Sequence, residues 1–583
     1  MRLQLVLWLG CLFAKQGVLV LGGGTYTADA RAVPSGMPNM SMELCRGLNL
    51  EEATIDDMQT WMTRRKLMSV DLVRCYLRRI EQTRDTANSV IEINPEAEYI
   101  AISLDFERRM SNKVRGKLHG IPFTVKDNIA SKDQMKTTAG SLALLHSVVP
   151  EDAFVLDRLR KMGAVLLGKA AMSEWADMRS SNYSEGYSAR GGQCYSAYNM
   201  TVNPGGSSTG SAVGVSINAA AFSIGTETDG SVINPAMRNC IVGFKPTVGL
   251  TSRSGVIPES HNQDSVGTFG RTVKDAVIAL DAIYGYDVKD RATWDMCDQP
   301  TVPQWTTGQG FQQFLTTRDA LARSPTKRAA AFGIPWNSFW VHADAETRRA
   351  LTRVVKLIRE AGAEVFNRTE ITDYDEIVSP HGWDWDYGSK RRWANRSEYT
   401  YVKVDFVRGI NAYLKNLEST RVHNLSDIIN FNVRNDHTEG GTPQRHPAFY
   451  SGQDGFEAAQ KTGGVMDETY HQALNYSQTM TRRGINDALN RRGYKLNALL
   501  VPLEPGQSYQ IAAQAGYPMV TVPIGLHKES GMGIGLGLMQ SAWHEHELVR
   551  WASAIEDLLK SKGYRRNLPK WRGYYQRKIP LPL

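Results

Sequence analysis

Between Leu50 and about Gln82 apolar residues recur in two helical periods. The second is predicted to start at Ser69 as N-cap and to place Val70, Val73, Tyr76, Leu77 and Ile80 on one face, so this stretch (about 50–82) is expected to cover a larger body. Farther along, Gly120-Ile121-Pro122 leads into an apolar strand, Phe123-Thr124-Val125, which Lys126 ends at a polar turn. From Asp152 the face Ala153, Leu156, Leu159 and Met162 marks a helix that Gly163 stops. Ala164 to Gly168 then reads as a short buried strand, followed by the start of another helix. A small-residue run between Asn203 and Gly249 reads as helix and then strand, while Asn411 to Leu417 reads as ordinary helical packing. Helices alternating with buried strands predict a layered α/β architecture.

At 583 residues, with 42% hydrophobic and 22% charged positions, the chain is long enough to bury a large globular core. A net charge of +8 is modest for that length. Basic residues thicken only between Lys560 and Lys578, where a solvated tail is the ordinary reading, so no nucleic-acid partner is expected. Residues 1–30 read as a secretory signal peptide: an apolar run too short to span a bilayer, then small-x-small cleavage sites at Ala28-Asp29-Ala30 and Ala30-Arg31-Ala32. Lys15 inside the apolar zone keeps an uncleaved signal anchor as the alternative. Charges interrupt every later apolar run, so no stable membrane insertion is expected.

Seven Asn-x-Ser/Thr sequons, at Asn39, Asn182, Asn199, Asn367, Asn395, Asn424 and Asn475, favour export and N-glycosylation. Beyond the leader stand Cys45, Cys75, Cys194, Cys240 and Cys297, an odd number in no zinc pattern, so at least one stays free or pairs between chains.

The chemistry concentrates between Asn203 and Gly249. Gly205-Gly206-Ser207-Ser208 and Thr226-Glu227-Thr228-Asp229-Gly230-Ser231 are glycine-rich turns that can uncover a hydroxyl and converge backbone N–H groups on one point, as acyl transfer requires. Gly206 to Gly210 also fits the G-x-S-x-G elbow around Ser208, but the weak strand before it ends at Pro204 and no histidine has a persuasive setting. His544-Glu545-His546 opens a helix. A buried lysine at a strand end is the other candidate base: Lys126 deprotonating Ser207, and Ser207 deprotonating Ser231. The polar loop Ser188 to Gln193 delivers the chain to this stretch, with Gln193 a candidate substrate contact.

GIPFTVKDNI, NPGGSSTGSAV, GTETDGSVINPA and GFKPTVGL together resemble the amidase signature family, and the likeness extends from the helical cover to the closing AGYPMVTVPIGL and GMGIGLGLMQSAW. The resemblance implies one α/β/α sandwich around a large mixed sheet over residues 31–583, no cofactor and no metal. It implies a Ser-Ser-Lys triad in which Lys126 is the base, Ser207 the bridging serine and Ser231 the nucleophile. It further implies an oxyanion hole from the N–H groups of Thr228, Asp229, Gly230 and Ser231, with Ser208 in support. Glu227, Asp229 and Ile233 depart from the commonest family pattern, so the charge pair that often braces this turn is expected to be missing. The text is nearest the peptide amidase-like branch, which implies a soluble or peptide C-terminal amide as substrate.

The region from about 297 to 463 is aromatic-rich and is expected to face the substrate, with Trp383, Trp385 and Tyr387 as candidate lining residues. An exported amidase, with a homodimer as the candidate assembly, is therefore the expectation. A histidine-dependent esterase and a catalytically silent binding relative are the alternatives. The family's transfer-RNA-linked amidotransferase role fits a leader and sequons badly.

Overall fold

Eleven strands form one mixed sheet at the centre of the computed structural model, which describes residues 39–111, 114–304, 310–325, 327–491 and 494–581. From edge to edge they run Val90–Ile93, Val165–Ala170, Pro122–Lys126, Phe222–Glu227, Ser265–Gly270, Val242–Lys245, Met519–Leu526, Gly533–Met539, Ala498–Pro502, Ala331–Ile334 and Glu364–Asn367. The strand carrying Lys126 is parallel to both its neighbours, whereas the sheet's middle is antiparallel. Strands such as Pro122–Lys126 and Phe222–Glu227 are buried along their whole length, which explains why they read as continuous apolar or small-residue runs without alternation. This is the expected α/β/α arrangement. The leader read at residues 1–30 lies outside the described residues.

The helical cover is two helices, Ile55–Thr63 and Ser69–Thr83. The second begins with Ser69 inside it, so Met68 is the N-cap, and the Asp71 carboxylate accepts the Met68 N–H. Val70, Val73, Tyr76 and Ile80 are buried as the period predicts, and Leu77 is half-buried. A disulfide between Cys45 and Cys75 fastens the preceding segment to this helix; Cys194, Cys240 and Cys297 are free. The strand expected at 164–168 extends from Val165 to Ala170. Where a helix was expected to start after it, Trp175, Ala176 and Asp177 take positive φ values of 53, 55 and 79° and turn the chain toward the site.

The region between 297 and 463 builds an apolar cluster of its own. Tyr401, Phe406, Ile410 and Phe456, on the helices Glu398–Lys415 and Asp454–Lys461, pack against Ala139, Met172 and Trp175. Glu398 is thereby carried to the sheet edge where the hydroxyl-rich turns lie. Among the described residues no helix is long and apolar enough to cross a membrane.

Candidate active site

Val125 stands opposite Ile224 in the parallel pair, so Lys126 leaves its strand at the edge where Thr226 and Glu227 leave theirs. Parallel pairing is what brings a lysine 100 residues upstream beside Thr226. Lys126 Nζ lies 2.7 Å from Ser207 Oγ, 3.0 Å from Thr226 Oγ1 and 3.3 Å from Thr226 O. Ser207 Oγ in turn is 3.0 Å from Ser231 Oγ. The three side chains form one unbroken chain, with Lys126 and Ser207 fully buried and Ser231 5% exposed.

Burial pushes the Lys126 amine down to about 8, against the pull of the Asp177, Glu259, Asp264 and Glu185 carboxyl groups. A neutral amine has two N–H bonds and one lone pair. The two oxygens of Thr226 take the N–H bonds, which leaves the lone pair toward Ser207.

The Ser207 turn is held from below. Gly206 precedes Ser207 through a cis peptide bond, and the Ser173 N–H donates to Ser207 O at 3.1 Å while the Ser173 hydroxyl donates to Glu185. A Cβ at Gly206 would run into the buried Glu185 carboxyl group and the Ser173 hydroxyl, so a larger residue here would displace the pair that holds the turn. Ser208 points away from Ser231. Its hydroxyl donates to Thr226 O at 2.9 Å and accepts the Thr226 N–H at 3.3 Å, which ties the two turns together. The formal elbow around Ser208 is thus a structural joint, and no histidine hydrogen-bonds to Ser207, Ser208 or Ser231 among the described residues. His446 packs on Tyr187 and Phe449, and His544 is the N-cap of the helix Glu545–Ser561.

The turn from Thr228 to Ser231 is braced without a charge pair, through backbone N–H groups. The Glu227 carboxylate accepts the N–H groups of Val232 at 2.6 Å and Ile233 at 2.9 Å, and Lys245 opposes the upward push of burial on it. Thr228 Oγ1 donates to Asp264 Oδ1 at 2.5 Å, and Gln263 Nε2 donates to Thr228 O at 3.2 Å. Gly230 has φ +88° and sits against the Tyr509 ring, where a Cβ would be 2.7 Å from Cε2. The N–H groups of Thr228, Asp229 and Ser231 donate to no acceptor among the described residues, while that of Gly230 lies near the Glu227 carboxylate. Free donors clustered beside a buried hydroxyl are what an oxyanion requires.

Of the substrate-side candidates, only Trp383 reaches this turn. Its Nε1 donates to Asp229 Oδ2 at 2.5 Å. Trp385 lies behind it, 5.3 Å between ring centroids, and stacks on Tyr399. Tyr387 is directed elsewhere, with its hydroxyl on Asp375 O and its ring under Arg391. Gln193 is also corrected: its amide is consumed by Ser184, Glu185 O and Cys194 O, so it fixes a loop. Thr226, Gln263, Asp264 and Glu398 were not singled out from sequence as site residues, and Thr226 alone had a signal, its place in the second hydroxyl cluster. Among the described residues no group of three or more His, Cys, Asp or Glu side chains is arranged to hold a metal ion.

Residues 71–549 match the family model described as Amidase. The chain belongs to the amidase signature family. This amidase is 46% identical over 605 residues to a putative amidase of Schizosaccharomyces pombe, the match covering all of both chains. A probable amidase of Arabidopsis thaliana is 38% identical over 516 residues, 88% of this chain and 91% of that one. The solved structure of native peptide amidase from Stenotrophomonas maltophilia is 35% identical with a TM-score of 0.75, covering 89% of this chain and 99% of the other. The protein is an amidase-family hydrolase.

Proposed function

We propose that this enzyme is an exported serine amidohydrolase that cleaves a carboxylic amide, with peptide C-terminal amides as its preferred class, through an acyl-enzyme on Ser231. The observation that carries the reading is the buried chain Lys126–Ser207–Ser231 ending beside free N–H donors. Serine hydroxyl protons rotate freely, so the chain can run toward the lysine as well as away from it. As Ser231 Oγ attacks the amide carbon, its proton passes to Ser207 and the Ser207 proton to neutral Lys126. The carbonyl oxygen becomes an oxyanion that the N–H groups of the 228–231 turn stabilise. Protons then return through Ser207 to the departing nitrogen, which an amide needs because an unprotonated amine is a poor leaving group. Water enters by the same relay in reverse and frees the acid. Similarity to peptide amidase supports the substrate class.

The test is a hydrolysis screen of aliphatic, aromatic, fatty and C-terminally amidated peptide substrates, with Ser231→Ala as the blank. Ammonia release is expected to be fastest from the amidated peptides; preference for long acyl amides would discard the proposed class.

Export is supported by the leader, by the Cys45–Cys75 disulfide, a bond that persists in oxidising compartments, and by the sequons. Six of the seven sequon asparagines are exposed or half-exposed, and Asn199 is buried. Its Nδ2 donates to Ser530 O at 2.7 Å, and its Oδ1 accepts from both the N–H and the hydroxyl of Thr201. Peptide mapping of the secreted protein after deglycosylation is expected to find sugar at one or more of the other six and none at Asn199. Occupancy at Asn199 would mean that this corner is sealed only after glycosylation.

A further inference from the structure

Behind the 228–231 turn lies a pair of carboxyl groups that the relay does not use. Asp229 gives one oxygen, Oδ2, to the Trp383 indole N–H, and its other, Oδ1, is buried with no donor in reach. Glu398, the first residue of the helix Glu398–Lys415, meets Asp229 at hydrogen-bond range and is 3% exposed. Glu398 also accepts three amide N–H groups, from Gln263 Nε2 at 2.8 Å, Gln510 Nε2 at 3.0 Å and Gln514 Nε2 at 2.9 Å.

Two buried carboxyl groups in contact cannot both ionise, so one proton lies between them. Three amide donors make Glu398 the acceptor. The proton then belongs on Asp229, which burial and, after it, the neighbouring Glu398 hold far above the ordinary carboxyl range. In that state Asp229 is a donor to Glu398 rather than a second like charge beside it, which removes the repulsion within the pair.

The grip extends along the backbone. Gln263, bound to Glu398, also donates to Thr228 O, and Asp229 is the next residue of the same turn. Glu398 therefore holds two consecutive residues whose N–H groups would bind the oxyanion. The groups facing the pair are Glu227 and Lys245 from the strands, Glu259 from a loop, Tyr401 from the same helix and Tyr509 from the helix Gln507–Ala515. Lys245 is the one cation among them, and its ammonium is held by Pro246 O and Tyr517 O. A second negative charge on the pair meets no counter-ion that is not already engaged.

We propose that Glu398 is a positioning residue of this amidase: the proton it shares with Asp229 locks the turn in its oxyanion-binding shape, and losing that proton at alkaline pH ends catalysis. The proposal rests on Ser231 being the nucleophile. It assigns the two limbs of the pH profile to different groups, the acid limb to Lys126 and the alkaline limb to the carboxyl pair.

The experiment measures kcat and KM on one amide from about pH 6 to about pH 10 for wild type, Glu398→Gln, Glu398→Ala and Ser231→Ala. Glu398→Gln can still donate to an ionised Asp229, so its kcat near pH 8 is expected within about threefold of wild type while the alkaline limb disappears. Glu398→Ala is expected to lower kcat about 100-fold with KM changed less than about threefold, the size of a lost oxyanion donor. With Ser231→Ala inactive, a wild-type alkaline limb in Glu398→Gln, or wild-type kcat in Glu398→Ala, overturns the proposal. Turnover by Ser231→Ala would instead remove the nucleophile assignment and this proposal with it. Should the alanine variant fail to fold, the glutamine variant's pH profile decides alone.

Discussion

Ser231→Ala is expected to lower kcat for amide hydrolysis by about 10⁵- to 10⁶-fold, because without the nucleophile the rest of the relay has nothing to activate and nearly all of the unit's effect is forfeited. The loss should fall on kcat, since Ser231 Oγ is one small buried atom whose contact in the free enzyme is Ser207 Oγ. Folding should be little changed: one hydroxyl-to-hydroxyl hydrogen bond contributes about 1 kcal/mol, and the remaining Ser207 hydroxyl still has Lys126. A fluorophosphonate probe that forms a covalent bond with an active serine should label wild type and leave Ser231→Ala blank. Labelling of the variant at Ser207 or Ser208 would relocate the nucleophile. Normal turnover by a correctly folded variant would end the acyl-enzyme reading altogether. The same measurement disposes of the catalytically silent alternative, since a binding relative would not label.

Much of this site was legible in the sequence because its parts are local. A lysine at the end of an apolar strand, and two glycine-and-hydroxyl turns on either side of a small-residue helix, each have a pattern that can be read without neighbours. The fold supplies what a linear pattern also implies once the strands are taken as parallel, the meeting of Lys126 with Thr226 at one sheet edge. What was not legible depends on long-range contact. Glu398 looks like any first-turn helix acid, and only packing of its helix beside the 228–231 turn gives it Asp229 and three glutamines. Trp383, Trp385 and Tyr387 share one short aromatic run, yet a change of chain direction sends the first to Asp229 and the last to Arg391. Gln193 has a free amide on paper, and the loop closes on it. With Glu227 and Ile233 in this turn the usual charge pair was expected to be missing; the carboxylate at the preceding strand end holds the same backbone instead, by accepting its N–H groups directly.

Lys126 sets the second large effect. Below about pH 8 the buried amine carries a proton and cannot accept one from Ser207, so log kcat is expected to rise with unit slope through the acid limb and to level near that pH. The sign follows from the base being the neutral form: each unit of pH below the amine's value cuts the competent fraction tenfold. Lys126→Met should abolish the limb together with most of the rate, lowering kcat by about 10²- to 10⁴-fold, the span of a positioned general base. Methionine is the informative replacement because it keeps the length of the buried stem without an ionisable end. An amine whose value is depressed in the folded state destabilises the fold wherever it is charged in both states. That penalty is full below about pH 8 and vanishes above the unfolded value near 10.5. Its removal is therefore expected to leave the unfolding temperature at pH 7 no lower than wild type, offset in part by the hydroxyls of Thr226 and Ser207 losing a partner. An inactive but stable Lys126→Met protein separates a lysine retained for chemistry from one retained for structure. A variant that unfolds far below wild type would mark the lysine as one retained for structure, and one whose residual activity keeps the same acid limb would show that another group takes the proton from Ser207.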